Sequence, residues 1–492
     1  MVSISIQKLK MFNLLSKTRA PGPAKLGCRR TLPRRSIHRS TTLALSACAA
    51  LISQSLSTIP LQAETGQRPN IVLIFTDDQG YGDVSTYHAS DCQTPNIDRL
   101  ASEGMLFNNM RANCTVCSPS RAALLTGRFP DRVGVPGVIR TRPENSWGYL
   151  APGVPTIGDE LRQAGYYTAV IGKWHLGLES PNLPNERGFD FFHGFLGDMM
   201  DSYTTHLREG NNYMRHNTEA VDPTGHATDI FAEWAAEFIR SRSTEQQPFF
   251  LYLAFNAPHF PIEPPAQWLE NVKQRAPELD EQRALNVAMV EHLDDRIGHV
   301  LSTLNKAGLD QNTLVAFCSD NGGSIPHAQN NDPWRDGKQS HYDGGLRVPF
   351  IVRWSGHVQA GSRSDYAGMN FDLFPTFLEL AGRETATSID AVSLVPVLRG
   401  ETIDAPRDLY FTRREGGAVY GGKSYEALIR GDWKLLQNTP YSSLELYNLK
   451  QDPQETNNLI SQAPQVVREL SAALRGHIQV GGSTSWQKPE TP

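Results

Sequence analysis

Three separate stretches of this chain, each the length of a strand, hold a continuous apolar run without alternation. They are Asn70–Thr76, Phe249–Phe255 and Thr313–Ser319. A strand with one wet face alternates apolar and polar residues. A run without alternation suits a strand covered on both sides, as in a parallel sheet between helices. Tyr167–Ile171 and Val348–Arg353 read as further strands. Helical patterns separate them, at 95–102, 156–164, 228–242 and 281–306. This alternation predicts an α/β fold: a large mixed, mostly parallel sheet flanked by helices. From about residue 400 the texture changes to short mixed runs, 425–436 and 444–449, followed by a helical stretch at 464–477. These predict a smaller C-terminal α+β domain with an antiparallel sheet over 401–492, after a catalytic α/β domain over 64–400.

The first 63 residues differ from the rest. They carry ten Lys and Arg, no Asp or Glu, an apolar run from Thr41 to Leu56, and Leu61-Gln62-Ala63 as a cleavage site. The segment reads as an export signal, placing the mature protein in the periplasm or outside the cell. Leu45–Cys48 offers a lipoprotein-type box, though the apolar run continues past Cys48, and Arg34-Arg35 resembles a twin-arginine pattern. No later apolar stretch is long enough to span a membrane. Loss of the leader moves the formal charge from −5 to −15, because ten basic residues leave and no acidic ones. A chain that acidic repels polyanions, which argues against nucleic acid and requires attraction of an anionic substrate to be local. Four cysteines remain, Cys92, Cys114, Cys117 and Cys318, too few for a disulfide framework.

Ligands of an open α/β sheet bind beyond the carboxyl ends of its strands. Here those ends hold Asp77-Asp78, Lys173 with His175, His259, and Asp320-Asn321. Each alone is an ordinary turn or loop residue; together at one sheet edge they are a constellation. Asp77, Asp78, Asp320 and Asn321 supply hard oxygen donors suited to Ca²⁺, with Mg²⁺ as an alternative. Arg121, Lys173, His175, His259 and Lys338 supply positive charge and proton transfer. The segment Cys117-Ser118-Pro119-Ser120-Arg121 reads as a helix start, with Ser118 as N-cap, Pro119 at the first helical position and Gly127 past the end. That places Cys117 and Arg121 on one face at the positive pole of the helix. Cys114 and Cys117 also have redox or half-zinc spacing, but no second pair completes a zinc site.

Cys117–Arg121 resembles the Cys-x-Pro-Ser-Arg signature of the type I sulfatases, within the alkaline-phosphatase-like superfamily. Gly172–Gly177, Gly188–Gly194, Asp320–Gly323, Gly344–Pro349 and Glu445–Pro453 are similar to other motifs of that family, in its order. The resemblance implies hydrolysis of a sulfate ester, arylsulfatase-like. Cys117 would be converted to formylglycine (3-oxoalanine) by a formylglycine-generating enzyme. It further implies metal ligation by Asp77, Asp78, Asp320 and Asn321, with residue 117 beside them. Arg121 would stabilise the formylglycine; Lys173, His259 and Lys338 would hold sulfate; His175 would assist the diol and release of product. Arg335-Asp336-Gly337-Lys338 departs from the expected Gly-Gly-Lys, yet the next lysine downstream is Lys423, so Lys338 is the candidate.

A phosphate or phosphonate ester hydrolase of the same superfamily is the first alternative, and an inactive binding protein on this scaffold the second. Segments 132–150, 195–226 and 324–341 are expected as pocket-rim loops. Their polar and aromatic content suits a sulfated carbohydrate over a simpler sulfated small molecule. His193, Asp198, His206, His327 and His341 are candidate ring contacts, against the plainer reading of each as a surface or supporting residue.

Overall fold

The structure is a computed structural model that describes residues 68–384, 388–415 and 424–489. The predicted leader, residues 1–63, lies outside the described residues. Within residues 60–492, which form one compact unit, a ten-stranded sheet runs through the centre. Five neighbouring strands are parallel: Thr313–Ser319, Asn70–Thr76, Phe249–Ala254, Tyr167–Lys173 and Phe191–Phe195, in that order.

The unbroken apolar runs have the expected cause. Ile71, Leu73 and Phe75 face one core layer, with helices Cys117–Thr126, Ile157–Gln163 and Leu373–Leu380. Val72 and Ile74 face the other, with helices Pro95–Glu103, Ala227–Arg242 and Glu281–Lys306. Every residue of Asn70–Thr76 is buried. At about 25 cal/mol per Å² of apolar surface removed from water, such two-sided burial is a large stabilising term.

The Val348–Arg353 run forms a strand only over Phe350–Arg353, and it pairs antiparallel with Thr313–Ser319. The 425–436 run is two strands, Ser424–Arg430 and Trp433–Gln437, joined by a tight turn. With Asp408–Arg414 and Glu445–Asn448 they make a four-stranded antiparallel sheet. The last helix runs past residue 477, over Pro464–Gly481, and seats Leu470 and Leu474 in the core of this sheet.

The helix Cys117–Thr126 is buried at all its positions. Its Leu124 and Leu125 face the large sheet, while Ala123 joins the core of the C-terminal sheet. Position 117 is therefore held from both sides. Gly127 ends the helix at φ 65°, the left-handed conformation that its place after the last turn calls for. The other end differs from expectation. Val116 is the N-cap, no side chain caps the helix, and Cys117 is its first residue. Ser118 Oγ instead accepts the Ile139 backbone N–H at 3.0 Å, so it ties down a loop.

Candidate active site

Four adjacent parallel strands end in the turns that carry the site, and those turns are hydrogen-bonded to one another. The Asp77 N–H donates to the Ala257 carbonyl and the Asp320 N–H to the Thr76 carbonyl, both at 3.1 Å. The Asp78 N–H donates to Asp320 Oδ1 at 3.1 Å. Asp78 and His175 both lie at positive φ, 64° and 58°, just beyond their strands. Non-glycine residues held there mark a backbone constrained by its surroundings.

The side chains form one buried network. The Cys117 thiol donates to Asp77 Oδ1 at 3.5 Å. Lys173 Nζ is 2.5 Å from Asp77 Oδ2, and Arg121 Nη2 is 2.8 Å from Asp320 Oδ2 and 3.6 Å from Asp77 Oδ2. Lys338 Nζ lies 2.7 Å and His259 Nε2 3.6 Å from Asp78 Oδ2. Asn321 Nδ2 donates to Asp78 Oδ1 at 2.8 Å. Eight of the ten predicted residues are linked directly, and His259, the ninth, turns its Nε2 toward Asp78. His175, the tenth, donates Nε2–H to the Ile139 carbonyl at 2.8 Å and lies within the field of Lys173, Arg121 and Asp77.

Burial opposes charge on Asp77, but Lys173, His259, Arg121 and Lys338 hold its carboxyl well below the usual range. Burial and the neighbouring Asp77 push Asp320 up. The Cys117 thiol is raised well above its ordinary value, by burial first and then Asp77. Against burial, Asp78 and then residue 117 hold Lys338 protonated. Burial and Lys173 keep His175 neutral, and burial and Lys338 lower His259 to about 4. With Nε2–H given to Ile139, the neutral His175 ring leaves Nδ1 as an acceptor, buried and without a partner among the described residues.

The donor set fits a hard divalent cation. Asp77, Asp78, Cys117 and His259 offer ligand atoms all within 4.8 Å of one another. Asn321 Oδ1 is buried in the same network with no hydrogen-bond partner among the described residues, an orphaned oxygen that a cation would satisfy. Three carboxylates face three permanent cations here. A divalent ion would leave the site positive, the sign that an ester of a strong acid requires.

Of the five proposed ring contacts, only His327 comes near, stacked on Phe260, which stacks on His259, at 4.5 Å in each case. His193 lies against Trp234 and His216, Asp198 pairs with Arg208, and His206 reaches the Gly225 carbonyl. His341 is fully buried beside Phe411. These four meet core residues or neighbouring loops in this structure.

Two residues at the site went unread in the sequence. Tyr252 Oη accepts from Arg121 Nη1 at 3.3 Å, and Tyr203 Oη donates to the carbonyls of Asn256 and His259 at 2.7 and 2.8 Å. Tyr252 had a signal: it is the lone hydroxyl in the otherwise apolar Phe249–Phe255 run. On the alternation of that strand it faces the helix of Arg121.

The fold and site define an enzyme of the α/β class with cations and carboxylates gathered at the carboxyl edge of its parallel strands. A family model described as Sulfatase matches residues 69–383, and one described as N-sulphoglucosamine sulphohydrolase, C-terminal, matches 333–480. N-acetylgalactosamine-6-sulfatase of Rattus norvegicus is 34% identical over 393 residues, covering 74% of this chain and 73% of that protein. N-acetylgalactosamine-6-O-sulfatase of Bacteroides thetaiotaomicron is 28% identical over 501 residues, covering 84% and 93%. A solved structure of Ps i-CgsB in complex with k-i-k-neocarrahexaose is 31% identical with a TM-score of 0.79, covering 86% of this chain and 95% of that one. The chain belongs to the sulfatase family, and its activity is that of a sulfuric ester hydrolase.

Among the described residues no helix is long and apolar enough to cross a membrane.

Proposed function

We propose that this enzyme removes sulfate from a sulfated carbohydrate, with position 117 as formylglycine and Ca²⁺ among Asp77, Asp78, Asp320 and Asn321. The observation that carries the reading is the placement of residue 117 at a buried helix start, 3.5 Å from Asp77 within a ring of carboxylates and cations. A thiol held protonated by burial is a poor nucleophile, so an unmodified cysteine suits this seat badly. As a hydrated formylglycine, position 117 would supply one hydroxyl to attack sulfur and a second whose proton loss releases sulfate. The cation would polarise the sulfate oxygens and favour the ionised nucleophile.

The chain's own residues do the rest. Arg121 fixes Asp77 and Asp320 in place and sets positive charge beside position 117. Lys173 and Lys338 face the seat from opposite carboxylates and hold the sulfate oxygens. The neutral His175 ring, with Nδ1 free, takes the proton lost on sulfate release. Of the two candidates to protonate the departing alcohol, Lys338 carries a proton across the neutral range, while His259 is neutral there and gives its Nδ1–H to the Phe260 carbonyl.

The relatives support a carbohydrate substrate, and 6-sulfated N-acetylgalactosamine is the first to try. An exported location, matching the leader-like N-terminus, fits an external polysaccharide. The test is inorganic sulfate release from 6-sulfated N-acetylgalactosamine and other sulfated sugars, beside phosphate release from matched phosphate esters. Sulfate turnover should dominate. Faster phosphate release would transfer the enzyme to the phosphoesterase alternative.

A further inference from the structure

One cleft adjoins the site without being used by the chemistry above. It holds about 370 Å³ between the loop Ile139–Tyr149 and the segment Leu176–Asn182, and residues 486–488 of the C-terminal segment close it. Ile139 joins it to the catalytic centre on two sides: its N–H donates to Ser118 Oγ, next to position 117, and its carbonyl accepts from His175 Nε2. Leu176, the residue after His175, also lines it.

The lining is amphipathic in the manner of a ligand site, apolar walls with a few fixed polar groups. Trp147 and Trp486 stack at 4.8 Å and 17° and both line the cleft. Asn182 is 2% exposed, gives Nδ2–H to the Leu150 carbonyl, and keeps a buried Oδ1 with no partner among the described residues. The C-terminal segment is tied over the opening. Thr484 Oγ1 donates to the Arg132 carbonyl at 3.0 Å, and Lys488 Nζ meets Glu179 Oε1 at 2.5 Å. At its root the segment presses on Gly134, where a Cβ would lie 2.6 Å from the Ser485 carbonyl oxygen, so the chain there leaves no room for a side chain.

We propose that this cleft seats the sugar ring next to the sulfated one, so that the substrate is an oligosaccharide and the C-terminal segment takes part in recognising it. The proposal rests on the carbohydrate reading and deepens it. Aromatic rings with an adjacent amide acceptor match the apolar face and hydroxyl edge of a pyranose. Contact with the backbone of Ile139 places that ring one residue from the reacting centre.

The experiment compares 6-sulfated N-acetylgalactosamine with a tetrasaccharide ending in the same residue, for the parent enzyme, Trp486→Ala and Trp486→Phe. The parent should prefer the tetrasaccharide, through a lower KM. Trp486→Ala should lose about tenfold of that preference, while Trp486→Phe keeps most of it. Binding of the sulfate-free tetrasaccharide, followed by calorimetry, should weaken in parallel. A parent with equal kcat/KM on the two substrates, or a Trp486→Ala enzyme that keeps the preference, would overturn the cleft assignment and leave the carbohydrate reading standing. A parent that releases sulfate from neither, nor from the other sulfated sugars and their oligosaccharides, yet turns over a small aryl sulfate, would overturn both.

Discussion

Lys338 Nζ lies 2.7 Å from Asp78 Oδ2, although the two residues stand 260 positions apart and Lys338 follows Arg-Asp-Gly where Gly-Gly-Lys is the expectation. The surrounding turn explains why a lysine reaches the site from that loop. The Lys338 N–H donates to the Gly323 carbonyl at 2.9 Å, and Gly337 packs so closely on Gly323 that a Cβ would meet its oxygen at 2.4 Å. Lys338→Ala should lower kcat/KM by about 10²- to 10³-fold, the usual loss when a preorganised charge is removed from a transition state. In the cation-free enzyme it should also destabilise, by roughly 3 kcal/mol, because Asp78 would be left buried without its closest cationic partner. Steady-state kinetics and denaturant unfolding check the two parts.

Removal of the cation gives a second test. A chelator should abolish sulfate release and Ca²⁺ should restore it. Added Ca²⁺ at a hundred times its dissociation constant should stabilise the parent by about 2.7 kcal/mol. Asp320→Asn, which removes the charge of a carboxylate that accepts from Arg121 at Oδ2 and from the Asp78 backbone at Oδ1, should lose most of that increment. Calorimetric binding and thermal unfolding with and without Ca²⁺ measure it.

Tyr252→Phe removes one hydroxyl from a fully buried strand and leaves Arg121 Nη1 without that acceptor. Hydrogen bonds to charged groups contribute about 1.5–3 kcal/mol. We expect a stability loss in that range and a fall in kcat of about tenfold with KM little changed, as Arg121 keeps its two carboxylates.

Much of the site could be read from the sequence because a strand buried on both faces has one unmistakable pattern, and its carboxyl end is where a parallel sheet binds ligands. Asp77, Lys173, His259 and Asp320 follow from that alone. Directions and partners were less legible. Nothing in Phe350–Arg353 tells that the strand runs antiparallel, because the turn before it decides. Ser118 has the chemistry of an N-cap, but Ile139, a loop residue, claims its hydroxyl. The Trp147–Trp486 pair joins a loop near the site to the far end of the chain, a contact that no local pattern encodes.

His226 provides a pH-dependent test away from the chemistry. Burial first and then His292 lower it to about 4, from an ordinary 6.5. The unfolded chain takes up that proton near pH 6.5 and the folded chain near 4. The stability linked to this group is therefore whole above pH 6.5 and is lost as pH falls toward 4, by up to about 1.4 kcal/mol per pH unit. Its Nε2 faces the Glu263 carbonyl and its Nδ1 accepts the Thr228 N–H. A glutamine can make both bonds without titrating. Urea unfolding at a series of pH values should show a shallower acid slope in His226→Gln than in the parent.

The account depends on the chemical state of position 117. Trypsin cleaving after Arg111 and Arg121 releases a peptide that contains Cys114 and Cys117. Mass analysis of that peptide from active enzyme, after alkylation and treatment with a carbonyl reagent, should show one alkyl group, on Cys114, and one hydrazone at position 117. Two alkylated cysteines in enzyme that releases sulfate at its full rate would contradict it.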